Sequence, residues 1–194
     1  MTNEGPLDDL STLAALLRQR ARIDQQIAAI LGRPVHPGHF GEFVASAIFG
    51  VELAPSATQK AYDGTFRSGP LAGATVNVKF RSRHTDLLNI AASADPRDHP
   101  DCYLALEGLT RPAGSSRGEH APLCVAQAYV FESRPLLVAL AARGVDAHLQ
   151  GRSINPRRAS WRAAMVYPEA HYPRLTLTDA QRDALRLFAP LAAD

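Results

Sequence analysis

Near the start of the chain, Leu13, Leu16, Arg20, Ile23, Ile27 and Ile30 fall alternately three and four residues apart, with Arg and Gln between them. This spacing predicts a helix from Leu7 to Leu31. Arg20 interrupts the apolar seam, and the stretch is short for an independent coiled coil. Packing on the core or on a second copy of the chain is therefore expected. Gly32, Pro34, Pro37 and Gly38 break the pattern. A second helix follows over His39–Phe49, where Phe40, Phe43, Val44, Ala47 and Ile48 share a face.

The period then shortens to that of strands. Tyr62–Arg67 reads as a short strand, Ser68–Gly73 as a turn, and Ala74–Arg81 as a strand with alternating Val76, Val78 and Phe80. Leu87–Ile90 fits another short strand or the lip of a loop, and Asp95–Asp101 a polar loop. Cys102–Leu106 and Leu123–Phe131 are apolar runs of the kind found inside a covered sheet. Arg111–His120 between them is rich in Gly and Ser. Pro135–Arg143 predicts a helix stopped by Gly144, and Thr178–Phe188 a closing helix with Thr178 and Gln181 in capping-box spacing. The sum is an α/β fold: a central mixed β-sheet of about five strands flanked by helices, with a long N-terminal helix. We divide it into an N-terminal helical arm (1–32), a core (33–170) and a C-terminal helix packing on the core (171–194).

The length of 194 residues suits one domain with one sizeable core. Apolar stretches are broken well before the roughly 18 residues that a membrane span needs. The opening MTNEGPLDDL has neither a basic start nor an apolar run, so no secretory signal is expected. The only cysteines, Cys102 and Cys124, each sit in an apolar run, as buried thiols of a reducing, cytoplasmic protein do. A net charge of +2 announces no polyanion partner. Its make-up is more telling: of 21 basic residues only Lys60 and Lys79 are lysines, so a lysine retained at position 79 suggests that an ammonium is wanted there.

Lys79 belongs to the most suggestive constellation in the chain. Asn77 and Lys79 are two apart on one predicted strand and so share a face. The hairpin brings Asp63 near them, and Glu42 comes from the preceding helix. Two acids, an amide and a lysine at a sheet edge suit metal-assisted phosphodiester hydrolysis. Hard oxygen donors hold a cation such as Mg²⁺, which lowers the pKa of a bound water, while the lysine orients that water. Each residue also has a plain structural account: Asp63 opening a turn, Asn77 satisfying backbone groups, Lys79 facing solvent.

The helix carrying GEFVA, then YDG, then a hairpin ending in VNVK resembles the core motif of the PD-(D/E)XK restriction-endonuclease-like superfamily. More closely, the stretch from Gly41 to Phe80 is similar to a bacterial family assigned to that fold. The resemblance runs from about Gly38 through Leu106, more loosely to Tyr167-Pro168, and leaves out the N-terminal helix. It implies a Mg²⁺-dependent endonuclease, with Mn²⁺ as substitute ion and DNA as substrate. Glu42 matches the helix acid, Asp63 the central metal-binding aspartate and Lys79 the catalytic lysine. Asn77 departs from the usual acid: it keeps a carbonyl oxygen for a metal but removes a negative charge, which suits either weaker metal binding or a member that binds nucleic acid without cutting it.

Arg81 and Arg83 extend the Lys79 strand, and Arg157 and Arg158 lie near Trp161; all four are candidate phosphate contacts, or charges of solvated loops. His36, His39 and Glu42 are spaced by three, but Pro37-Gly38 interrupts them, and capping or surface histidines are expected rather than a zinc site. Asp95, Asp98, His99 and Asp101 read as loop acids. No nucleotide-phosphate cradle or nucleophile elbow is present. The rival readings are a catalytically silent module of the same fold that holds nucleic acid or a protein, and a self-associating interaction protein. A homodimer through the N-terminal helix is compatible with all of them.

Overall fold

A computed structural model describes residues 6–55, 62–81, 99–108, 123–142 and 158–190. Its elements run α1 (Pro6–Leu31), α2 (Pro37–Phe49), β1 (Val51–Leu53), β2 (Gly64–Phe66), β3 (Thr75–Arg81), β4 (Cys102–Glu107), β5 (Gln127–Glu132), α3 (Ser133–Ala141), α4 (Arg158–Ala164), β6 (Met165–Tyr167) and α5 (Asp179–Arg186). The architecture is α/β, a mixed sheet flanked by helices with a long N-terminal helix, as expected.

Among the described residues the sheet has six strands, in the order β1-β2-β3-β4-β5-β6. The pair β3–β4 is parallel and the other four pairs are antiparallel. The expectation of about five strands therefore falls short. Three of the six, β1, β2 and β6, have three residues each, and the two that the pattern misses, β1 and β6, are too short to carry a periodic signal. The helix α4 also escapes the pattern, since RASWRAA has no apolar stripe. The predicted strand over Leu87–Ile90, the loop over Arg111–His120 and the stop at Gly144 lie outside the described residues.

Alternation along β3, β4 and β5 divides the side chains between two layers. Val76, Val78, Cys102, Leu104, Leu106, Ala128 and Val130 face the main core, which α2 and α5 close with Phe40, Val44, Ile48 and Leu185. Tyr103, Ala105, Tyr129 and Phe131 face a second cluster, closed by Leu136, Leu140, Ala164 and Trp161 of α3 and α4. In register, Asn77, Tyr103 and Phe131 form one row across the strands and Lys79, Ala105 and Tyr129 the next.

Gly41 sets the distance of α2 from the sheet. A Cβ there would lie 3.1 Å from Phe80 Cβ and 3.5 Å from Val78 Cγ1. The helix begins at His36, whose Nδ1 accepts the Gly38 N–H at 3.1 Å, and ends at Gly50 with φ +68°. His36 is thus a helix cap, and His39 Nδ1 lies 2.8 Å from Pro34 O. At the C-terminal end, α5 has the expected capping box of Thr178 and Gln181, and Gln181 Nε2 donates to Ile48 O at 2.5 Å, tying α5 to α2.

Asp101 locks the start of β3 to β4: its carboxylate accepts Thr75 N–H and Oγ1–H, both at 2.8 Å, and its own N–H donates to Thr75 Oγ1 at 2.9 Å. Among the described residues no helix is long and apolar enough to cross a membrane.

Candidate active site

The backbone brings Asp63 to β3 through a glycine. At Gly64 an added Cβ would come within 2.4 Å of Glu52 O and 2.7 Å of Val51 Cγ1, so only glycine lets β2 pass this close to β1. The YDG sequence is thereby explained as local structure. Asp63 O accepts the Ala54 N–H at 2.8 Å, and Asp63 N–H donates to Val76 O at 2.9 Å. The Asp63 carboxylate then reaches along β3 and accepts the Val78 N–H at 2.6 Å. Asp63 therefore spans the stretch of β3 that carries Asn77, and its charge acts on Lys79.

Asn77 and Lys79 are half-buried on the face opposite α2, and the Asn77 amide oxygen is shielded from solvent. Burial lowers the Lys79 ammonium from its ordinary pKa, while the nearby Asp63 carboxylate pulls in the other direction. Three of the four predicted residues thus come together where Asp63 pairs with β3.

Glu42 is not among them. Val78 and Phe80 face α2, so Asn77 and Lys79 point to the other side of the sheet. The Glu42 carboxylate accepts from Arg33 Nη1 at 2.5 Å, and the charge acting on Lys79 comes from Asp63.

Arg81, the next residue on the Asn77–Lys79 face, is 9% exposed. Its guanidinium carbon sits 4.6 Å from the Trp161 ring centroid, as a cation–π stack. Trp161 in turn meets Tyr129 and Phe131 edge to face, each at 4.8 Å between centroids. Tyr129 donates to Gln127 Oε1. Burial first, then the neighbouring Glu107, pushes its phenol up to about 12. This group of Arg81, Glu107, Gln127, Tyr129 and Trp161 lies beside Lys79 across Ala105 and was not anticipated. Gln127 and Tyr129 alternate within the second apolar run, but the strand register that brings them beside Arg81 and Trp161 is not local. Arg83 and Arg157 lie outside the described residues, and of Arg158 only the backbone, opening α4, is described.

Asp63 and Asn77 are hard oxygen donors. One carboxylate suffices for Mg²⁺ where water and phosphate complete the shell, so Asp63 fits that ion, and Asn77 would have to turn its amide to join. Among the described residues no three His, Cys, Asp or Glu side chains form a metal-holding group. Compared with models of known protein families and with curated proteins, the chain matches none.

Proposed function

We propose that the chain hydrolyses phosphodiester bonds of nucleic acid in a metal-dependent reaction, as an endonuclease acting on DNA in the cytoplasm. The observation that supports this reading is the meeting of Asp63, Asn77 and Lys79 on one short stretch of β3, with the Lys79 amine partly desolvated. Asp63 would be the principal ligand of Mg²⁺ or Mn²⁺. Bound there, the cation would neutralise phosphate charge and acidify a water. Lys79, whose proton is held less tightly than that of a solvated lysine, would orient the attacking water and take up its proton, with the Asp63 carboxylate fixing the ammonium that results. Asn77 would position the water through its amide. An auxiliary role for Glu42 would require its release from Arg33. Arg83, Arg157 and Arg158 remain the candidate phosphate contacts, whereas Arg81 is engaged by Trp161. Nucleic acid is the proposed partner, with a second copy of the chain beside it.

A second reading has its own support. The Asp63–Val78 bond and the shielded Asn77 oxygen are also what a catalytically silent nucleic-acid-binding or protein-interaction module of this fold would contain. Supercoiled and linear DNA incubated at low salt with wild type, Asp63→Ala and Lys79→Ala, in Mg²⁺, Mn²⁺ or EDTA, separates the two. Metal-dependent nicking by wild type alone is the expected result. A gel shift in EDTA without nicking in metal selects the silent module, and neither binding nor nicking rejects both nucleic-acid readings.

A further inference from the structure

The helix α1 is 26 residues long, about 39 Å at the rise of an α-helix, and among the described residues it meets α2. Its apolar side chains are open: Leu13 is 52%, Leu16 57%, Ile23 46% and Ile30 69% exposed, with Leu10 and Leu17 also above half. Ile27 is partly covered. Helices owe most of their stability to a buried apolar face, and this face has no cover among the described residues.

Three properties of the helix indicate what covers it. The residues Leu13, Leu16, Arg20, Ile23, Ile27 and Ile30 occupy successive a and d positions of a heptad, a seam complementary to itself. Arg18 and Arg22 fall at outer heptad positions. In a parallel in-register pair Arg20 would lie against Arg20 of the other copy, burying like charges. In an antiparallel pair centred between Ala21 and Arg22, Arg20 would instead lie across from Ile23 of the other copy and beside its Asp24. Asp24 already attracts Arg20 within one helix, at 3.6 Å.

We infer that α1 docks antiparallel on α1 of a second copy of this chain, with Leu13 against Ile30, Leu16 against Ile27, and Arg20 exchanging its own Asp24 for that of the other copy. This does not depend on the nucleic-acid reading.

Sedimentation velocity of the full chain across a dilution series tests it. Wild type is expected at twice the chain mass of 20.9 kDa, dissociating on dilution. Leu16→Glu combined with Ile23→Glu is expected to be monomeric, with the core's thermal midpoint kept because both side chains are exposed. A monomeric wild type, or a dimer that survives the double substitution, overturns the proposal.

Two further measurements guard against simple unfolding of α1. Arg20→Asp alone and Asp24→Arg alone should each associate at least about tenfold more weakly, and an equimolar mixture should recover the dimer, because opposite charges then face each other. Orientation is read from a short bismaleimide crosslinker. Leu13→Cys mixed with Ile30→Cys should crosslink, while each alone should not, its two thiols lying about 25 Å apart along the axis. Crosslinking of Leu13→Cys with itself overturns the antiparallel arrangement; the native Cys102 and Cys124 are buried.

Discussion

The Asp63 carboxylate accepts the Val78 backbone N–H at 2.6 Å, taking the place of a strand carbonyl just before β2 begins. The bond is charge-assisted and half-buried, so Asp63 has a structural task whatever chemistry it performs. Asp63→Ala leaves the Val78 N–H without this acceptor and Lys79 without its neighbouring anion. We expect it to cost about 1–3 kcal/mol in a denaturant melt, and Asp63→Asn, which keeps an acceptor, to cost less. Adding Mg²⁺ should raise the wild-type melting temperature and leave that of Asp63→Ala unchanged; no metal-dependent rise in wild type would count against the metal reading.

Gly64 should tolerate no side chain. Its Cβ would fall within 2.4 Å of Glu52 O, a backbone atom that yields only if β1 and β2 part. Gly64→Ala should destabilise by about 1–3 kcal/mol by thermal denaturation. It should also lower DNA nicking beyond the loss of folded protein, since Asp63 moves with the strand.

Arg81 and Trp161 report on each other. Trp161 is the only tryptophan in the chain, so its fluorescence reads this stack without interference. Arg81→Leu should shift the emission maximum and destabilise by about 1–2 kcal/mol. It should leave the salt dependence of DNA binding unchanged, because a stacked guanidinium releases no counterions on binding; a flatter salt slope would show that Arg81 meets phosphate.

Alkaline pH should unfold the chain early. Burial, with Glu132 and Asp101 nearby, raises the Cys102 thiol from 9.0 to about 11, and burial raises the Tyr103 and Tyr129 phenols from 10.0 to about 12. The folded chain therefore keeps protons that the unfolded chain releases, and stability is lost as pH rises from about 9 to 12. Lys79 works the other way: its pKa is lowered on folding, so the unfolded chain holds that proton longer, up to 10.5, and stability grows with pH below that value. Thermal midpoints measured between pH 8 and 12 should decline, less steeply for Tyr103→Phe and more steeply for Lys79→Met.

Elements with a period of their own were legible in the sequence. The 3–4 spacing of α1, the apolar face of α2, the alternation of β3 and the capping box of α5 all lie at or near their expected places. The meeting of Asp63 with the Asn77–Lys79 stretch was legible as well, because a short hairpin fixes it. Glu42 was harder: GEF gives a helix, but which face of β3 the helix covers depends on Gly41 against Val78 and Phe80. Helix packing of that kind leaves no mark in spacing. The Arg81–Trp161 stack joins residues 80 positions apart through a parallel pairing and a helix that has no stripe, so a phosphate contact or a solvated loop charge was the natural local reading of Arg81.

The sheet repeats the order of the chain, and its single parallel pairing lies at its middle. Everything before that seam, from α2 to β3, supplies the candidate reactive groups: Asp63, Asn77, Lys79. Everything after it, from β4 to α4, supplies the wall beside them: Ala105, Tyr129, Trp161. The proposed chemistry and its shelter are thus written in separate halves of one polypeptide. A change in the second half can alter how much water reaches the lysine without touching a single group that would do chemistry.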